Sequence, residues 1–201
     1  MKPSLPRKSG RPLSFDKDAA LHQAMLLFWR HGYEATAISD LTAAMGITPP
    51  SLYSTWGDKK RLFMAALALY LSGPVTSRSI IKCAPTARDA AGGLLQAAVI
   101  GFTAADLPSG CLLATAAISC SWRAADVQAE LCAIRRAIEA QLCARIAQDR
   151  ATGTLPPECD PEALAGHVMA VIQGLSTLAR DGAPREKLVR VADAAMAGWP
   201  D

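Results

Sequence analysis

TAISDLTAAMGITPPSLYSTWGDKKRLF, residues 36–63, holds two short amphipathic segments on either side of a glycine, followed by a basic run that opens a third segment. Ile38, Leu41, Ala44 and Met45 recur at helical spacing, and Thr36 stands before them as a candidate N-cap whose hydroxyl can accept from an early backbone N–H. Gly46 falls where a helix end needs a residue tolerant of positive φ, and Ile47 anchors the turn beside it. Thr48 is the next N-cap candidate. Pro49 and Pro50 then occupy the first two helical positions, where their missing N–H groups would have been unpaired in any case. The spacing predicts helix, tight turn, helix.

The second of these helices, roughly residues 49–55, has Leu52 as its one aliphatic anchor, with Trp56 closing its end. Its other side offers Thr48, Ser51, Tyr53, Ser54 and Thr55, small hydroxyls and a phenol that can reach phosphate oxygens and base edges from a major groove. Lys59, Lys60 and Arg61 bring cations to the start of the following helix, whose free N–H groups also favour phosphate. Each feature alone fits an ordinary solvated surface. Their order and spacing together point to a helix-turn-helix that binds double-stranded DNA.

These residues, with Gly32-Tyr33 ahead of them and Leu62-Phe63 behind, resemble the TetR family of one-component bacterial regulators. The resemblance covers about residues 15–63. It implies an N-terminal three-helix operator-binding domain, with Tyr53 and Lys59 on phosphates and Thr48, Pro49 and Ser51 reading bases. Adding the pattern, the expected DNA surface is Thr36, Thr48, Pro49, Ser51, Tyr53, Ser54, Thr55 and Lys59. Two positions depart from the family. Trp56 stands where Phe is usual, which changes a core volume, and Pro49-Pro50 replaces a polar or Gly pair, which removes flexible base-contacting side chains.

A chain of 201 residues, 51% hydrophobic and 5% aromatic, favours helices over strands, and an all-α fold of about nine helices is expected. The net charge of +3 is uneven: residues 1–70 hold nine Lys/Arg against five Asp/Glu, residues 71–201 twelve against thirteen. The positive excess therefore lies in the half with the motif. Residues 1–14 combine Pro, Gly and four cations with no apolar run, as a basic arm and not a secretory signal. Arg7, Lys8 and Arg11 either follow a DNA groove or keep a tail soluble. No apolar run is long enough to span a bilayer, so the protein is expected in the cytoplasm.

Three parts follow: an arm at 1–14, the DNA-binding domain at 15–63, and a ligand-binding and dimerisation domain at 64–201. Ser14 caps a first helix that runs to His31-Gly32. A fourth starts near Asp58 and runs toward Gly73-Pro74. Residues 73–88 read as a loop or frayed end, and later helices are expected near 86–105, 110–121, 123–152, 160–181 and 184–198.

Leu164, Val168, Val171, Leu175 and Leu178 form one stripe of the helix at 160–181, while Gly166, Ala170 and Gly174 form a small-residue row on another face. With Leu188, Val191, Ala195, Met196 and Trp199 on the last helix, they resemble the family's dimerising pair, and the alternative is that both faces are core of one chain. A homodimer suits the motif, because paired recognition helices span two half-sites. The expected partners are a palindromic operator, a second copy and a small-molecule effector.

Six cysteines, with no Cys-x-x-Cys pair, read as reduced thiols. Cys111, in the sequence PSGCLL at an apparent helix start, would have its pKa lowered by the helix dipole. The segment also resembles a Gly-Cys-Leu signature in a family branch that includes repressors responding to N-ethylmaleimide and other electrophiles. Cys111 is thus either a thiol sensor or, with Phe102, Leu112, Trp122 and Met169, a liner of the effector pocket. No metal or cofactor site is expected, since His22, His31 and His167 lack neighbouring ligands at metal-binding spacing. Phosphate-loop, nucleophile-elbow and metallohydrolase patterns do not occur, which argues against an enzyme. A helical protein-interaction adaptor would explain the C-terminal helices but not residues 48–59.

Overall fold

The computed structural model describes residues 15–117 and 121–200; the basic arm, the Ser14 cap and Cys120 lie outside them. Among the described residues every regular element is helical. The N-terminal part consists of α1 (Lys17–His31), α2 (Ile38–Met45), α3 (Pro49–Trp56) and α4 (Lys59–Leu71). Asp16 caps α1, its carboxylate accepting from the amides of Asp18 and Ala19. Phe28, Leu41, Leu52, Leu62 and Phe63 are fully buried and close the core between these helices. Phe28 meets Phe63 edge-on at 5.1 Å, and Tyr33 meets Phe63 at 5.1 Å, so the turn after α1 is pinned to α4.

The larger half contains α5 (Ser77–Cys83), α6 (Ala87–Phe102), α7 (Leu112–Thr115), a 3-10 turn at Trp122–Ala124, α8 (Ala125–Ala151), α9 (Pro161–Arg180) and α10 (Arg185–Ala197). The central α6 buries Ala87, Ala90, Ala91, Leu94, Leu95, Ala98 and Phe102, mostly small side chains that let α5, α9 and α10 pack around it. At Gly93 an added Cβ would lie 2.9 Å from Ile80, so α5 touches α6 nearly backbone to side chain. The N-terminus of α6 has two caps: Thr86 accepts from the amide of Asp89, and the buried Asp149 of α8 accepts from the amide of Ala87.

Two sequence expectations change here. The stretch 73–88 is not a plain loop: Thr76 and Ser79 form a reciprocal capping box that starts α5, and Ile81 buries against the core. Of the helix expected at 110–121, the described residues keep only the four of α7. Its flanking backbone is committed elsewhere, since Cys111 N donates to Ser176 Oγ at 2.9 Å and Ala116 O accepts from Tyr33 N at 2.8 Å. No described helix is long and apolar enough to cross a membrane.

Candidate nucleic-acid interface

The geometry of the motif begins with its turns. Thr36 does not cap α2; Ala37 occupies that position, and its amide donates to Asp40 at 3.4 Å. Thr36 is 1% exposed, and its hydroxyl donates to Gly32 O at 2.6 Å, locking the passage from α1 to α2. That removes Thr36 from the expected DNA surface. Gly46 has φ 65° and ψ 31°, and Ile47 N donates back to Thr42 O at 3.0 Å, which ends α2 in a left-handed turn.

Thr48 then caps α3, its hydroxyl oxygen 3.4 Å from Ser51 N and 2.9 Å from Ser51 Oγ, with prolines in the first two helical positions. Leu52 and Trp56 face inward, and Phe15 stacks obliquely on Trp56 at 6.1 Å, so the larger ring at position 56 packs against the segment that leads into α1. Thr48, Pro49, Pro50, Tyr53 and Ser54 face outward, with Tyr53 48% exposed and Ser51 half-buried. Tyr53's hydroxyl makes no hydrogen bond to any described residue, which leaves it free for an outside acceptor. Thr55 is different. Its hydroxyl oxygen is enclosed, with no hydrogen-bond partner among the described residues, which puts it on the inner side of α3 and away from the expected DNA surface.

The three cations at the start of α4 all have partners within the chain. Lys59 donates to Glu34 O at 3.2 Å and lies 4.8 Å from the Tyr33 ring, and partial burial lowers its pKa. Lys60 pairs with Asp126 at 2.6 Å, and Arg61 approaches Asp58 at 3.6 Å. Asp58 caps α4, accepting from Arg61 N at 2.7 Å. Lys59 is the one nearest the Tyr33–Glu34 turn, and its ammonium keeps further N–H donors beyond the one on that carbonyl.

The C-terminal residues divide. Phe102, Cys111, Leu112 and Met169 are buried, but Trp122 is 82% exposed and lies beneath the Arg123 guanidinium at 5.4 Å, so it lines no pocket. Cys111 is the N-cap of a one-turn helix, not a first-turn residue of a long one. Its Sγ accepts from Tyr70 OH at 3.3 Å, and burial pushes the thiol pKa up, the reverse of the activation expected from sequence. A surface depression of about 320 Å³ lies beside Pro156, Cys159, Ala163, Leu164 and Pro200, away from the residues expected to meet an effector. Among the described residues no group of His, Cys, Asp and Glu side chains is arranged to hold a metal, and His167 is exposed.

On α9 and α10, Val168 and Leu175 bury within the chain while Ala170 and Gly174 are exposed and Gly166 is half-buried. Val191 and Ala195 are half-buried on α10. Leu188, by contrast, is fully buried in the core of its own chain, so it has no surface to give a partner. Residues that the sequence pattern does not pick out join the two halves: Glu34 accepts from Ser121 N at 2.7 Å, and Arg180 reaches the end of α1.

Residues 20–66 match the family model described as bacterial regulatory proteins of the tetR family, and residues 93–195 match a tetracyclin repressor-like C-terminal domain. The chain is 36% identical over 197 residues to the HTH-type transcriptional repressor ComR of Escherichia coli K12, covering 97% of this chain and 94% of that protein. It is 27% identical over 193 residues to the repressor BdcR of the same organism, covering 96% and 92%. Among solved structures it is similar to a cysteine-substituted variant of the TetR family regulator CifR, complexed with 26-base-pair double-strand operator DNA. The identity there is 39% and the TM-score 0.89, over 95% of this chain and 100% of that one. The capped, proline-led α3 with its inward Leu52 and Trp56, the all-helical C-terminal half and these matches agree: the chain belongs to the TetR family and is a transcriptional regulator, not an enzyme.

Proposed function

We propose that the protein is a cytoplasmic homodimeric repressor that binds a palindromic operator and is released by a small-molecule effector. The observation that carries the operator reading is the outer side of α3, where Thr48, Pro49, Pro50, Tyr53 and Ser54 face solvent while the helix is anchored by Leu52 and Trp56. Such a short, rigid helix fits a major groove, with Tyr53 on a phosphate and the Thr48–Ser51 end over base edges. Lys59 joins the phosphate contacts through an ammonium N–H that Glu34 O does not engage.

The dimer rests on α9 and α10. A Cβ added at Gly174 would meet nothing within 4 Å, so the face there is open to a second helix, while one at Gly166 would touch Glu139 of α8 at 3.6 Å. Gly166, Ala170 and Gly174, with Val191 and Ala195, form the seam in this reading. For the effector, Phe102, Cys111, Leu112 and Met169 offer an apolar environment with one polar pair, Tyr70 and Cys111. A ligand there shifts operator affinity to the extent that it prefers one orientation of the DNA-binding half.

Selection of duplexes from random DNA by the purified protein, followed by anisotropy titration at two salt concentrations, tests the reading. Recovery of an inverted repeat bound with strong salt dependence supports it. Recovery of no common sequence at low salt overturns it.

A further inference from the structure

Helix α1 ends at His31, followed by Gly32 with φ 81°, and its last carbonyls have no helical N–H to accept from. Phe28 O is taken by Gly32 N at 2.8 Å. The next two are taken by one side chain from the far end of the sequence. Arg180, the last residue of α9, donates through Nη1 to Trp29 O at 3.1 Å and through Nη2 to Arg30 O at 3.1 Å, and Nη1 also lies 3.4 Å from Thr115 Oγ1. A planar guanidinium can span two successive carbonyls, and its charge suits the negative end of α1.

The path of this side chain is built into the fold. At Gly110, with φ 82°, an added Cβ would lie 2.7 Å from Arg180 Cγ and 2.9 Å from Ser176 O. Gly110 O accepts from the indole Nε1 of Trp29 at 3.1 Å, and Ser176, one turn before Arg180, accepts from Cys111 N at 2.9 Å. Trp29 is therefore held twice, by its backbone through Arg180 and by its ring through Gly110. The same α9 presents Ala170 and Gly174 to solvent, the proposed dimer seam.

We infer that Arg180 is a positioning residue for operator binding: it ties the DNA-binding half, through α1, directly to the helix that forms the dimer seam, and so sets the angle and spacing of the two recognition helices. This joint is separate from α4, and it rests on the dimeric operator reading above. Because α1 packs against both α2 and α4, a change in its tilt moves the whole motif.

The test uses the full-length protein and the inverted-repeat duplex recovered by the wild type from random DNA. Companion duplexes have the half-site spacing changed by one base pair, and a scrambled duplex reports non-specific binding. The variants are Arg180→Ala, Arg180→Lys and, as a control, Arg185→Ala, which removes a guanidinium bonded, among the described residues, only to Thr103 within the C-terminal half. Sedimentation and circular dichroism establish that each is dimeric and folded.

Arg180→Ala is expected to bind the selected duplex roughly tenfold more weakly, to keep its affinity for scrambled DNA, and to lose most discrimination against altered spacing. Arg180→Lys recovers part of that discrimination, and Arg185→Ala retains all of it. A simple loss of stability would lower the active fraction without changing spacing preference. If Arg180→Ala is folded, dimeric and discriminates spacing as the wild type does, the inference is wrong. Should Arg180→Ala fail to fold, Arg180→Lys is judged by the same criterion. If the wild type itself selects no duplex, the operator reading fails and takes this inference with it.

Discussion

The carboxylate of Asp149 lies 2.6 Å from the backbone amide of Ala87, across 62 positions of sequence, so the end of α8 holds the beginning of α6. Arg145, one turn earlier, donates to the same carboxylate at 3.1 Å and to Ala84 O at 2.9 Å. Both members of this pair are largely shielded from water. Removing one member of such a pair leaves an uncompensated charge and an open helix cap. Asp149→Ala is expected to lower the unfolding free energy by about 3 kcal/mol, and Asp149→Asn by less, because the amide oxygen still accepts from Ala87. Urea titrations at fixed protein concentration check both, and a loss below ~1 kcal/mol for Asp149→Ala would show that the cap is dispensable.

Tyr53 separates binding from folding. Its hydroxyl has no partner among the described residues, so Tyr53→Phe should leave the melting temperature unchanged. A lost hydrogen bond to a charged phosphate is worth about 1.5 kcal/mol, or roughly tenfold in operator affinity. Anisotropy with the selected duplex measures it, and equal affinity would remove Tyr53 from the contact surface.

Thr48 and Thr55 lie on the same helix with opposite expectations. Thr48→Ala removes the α3 cap and should cost about 1 kcal/mol of stability. Thr55→Val replaces an enclosed hydroxyl that has no partner with a methyl of similar size, and should gain about 1 kcal/mol without weakening operator binding. A destabilised Thr55→Val protein would mean that the hydroxyl has a role that its surroundings do not reveal.

Cys111 and Tyr70 set the behaviour at high pH. Burial raises the pKa of both, so each stays protonated in the folded chain above the pH at which it would ionise when unfolded. Their contribution to stability is therefore complete below pH 9.0, the ordinary thiol value, and is lost as pH rises beyond it. Iodoacetamide at neutral pH should label the exposed Cys83 well before Cys111, with Cys111 reacting readily only after unfolding. Fast labelling of Cys111 in the folded protein would restore the thiol-sensing reading.

How much of this was legible from sequence follows from the range of each interaction. Gly46, Thr48 and the two prolines are settled within a few residues by backbone preference and capping, and the structure has them as the sequence predicts. Thr36 looked like a cap, yet its oxygen found Gly32 O instead, because the tight exit from α1 brings that carbonyl within 2.6 Å. Leu188 carried a pattern suited to either the seam or the core, and periodicity alone cannot tell which face of a two-sided helix meets its own chain. Trp122 was judged by its apolar ring, but it sits on a connecting turn where α8 begins and is largely exposed. The short α7 and the enclosed setting of Cys111 depend on Ser176, Tyr70 and Tyr33, partners that lie tens of residues away. Arg180 carried no local signal at all, since its partners are two backbone carbonyls at the opposite end of the chain.

The placement of Trp29 also gives the molecule an optical reporter. Of the four tryptophans, Trp56 and Trp199 are enclosed within one half and Trp122 is exposed, while Trp29 alone has its indole N–H bonded across the junction between halves. In a Trp122→Phe background, a red shift and quenching of intrinsic emission would follow any event that opens that junction. Whether DNA binding opens that junction can then be watched in solution without attaching a dye.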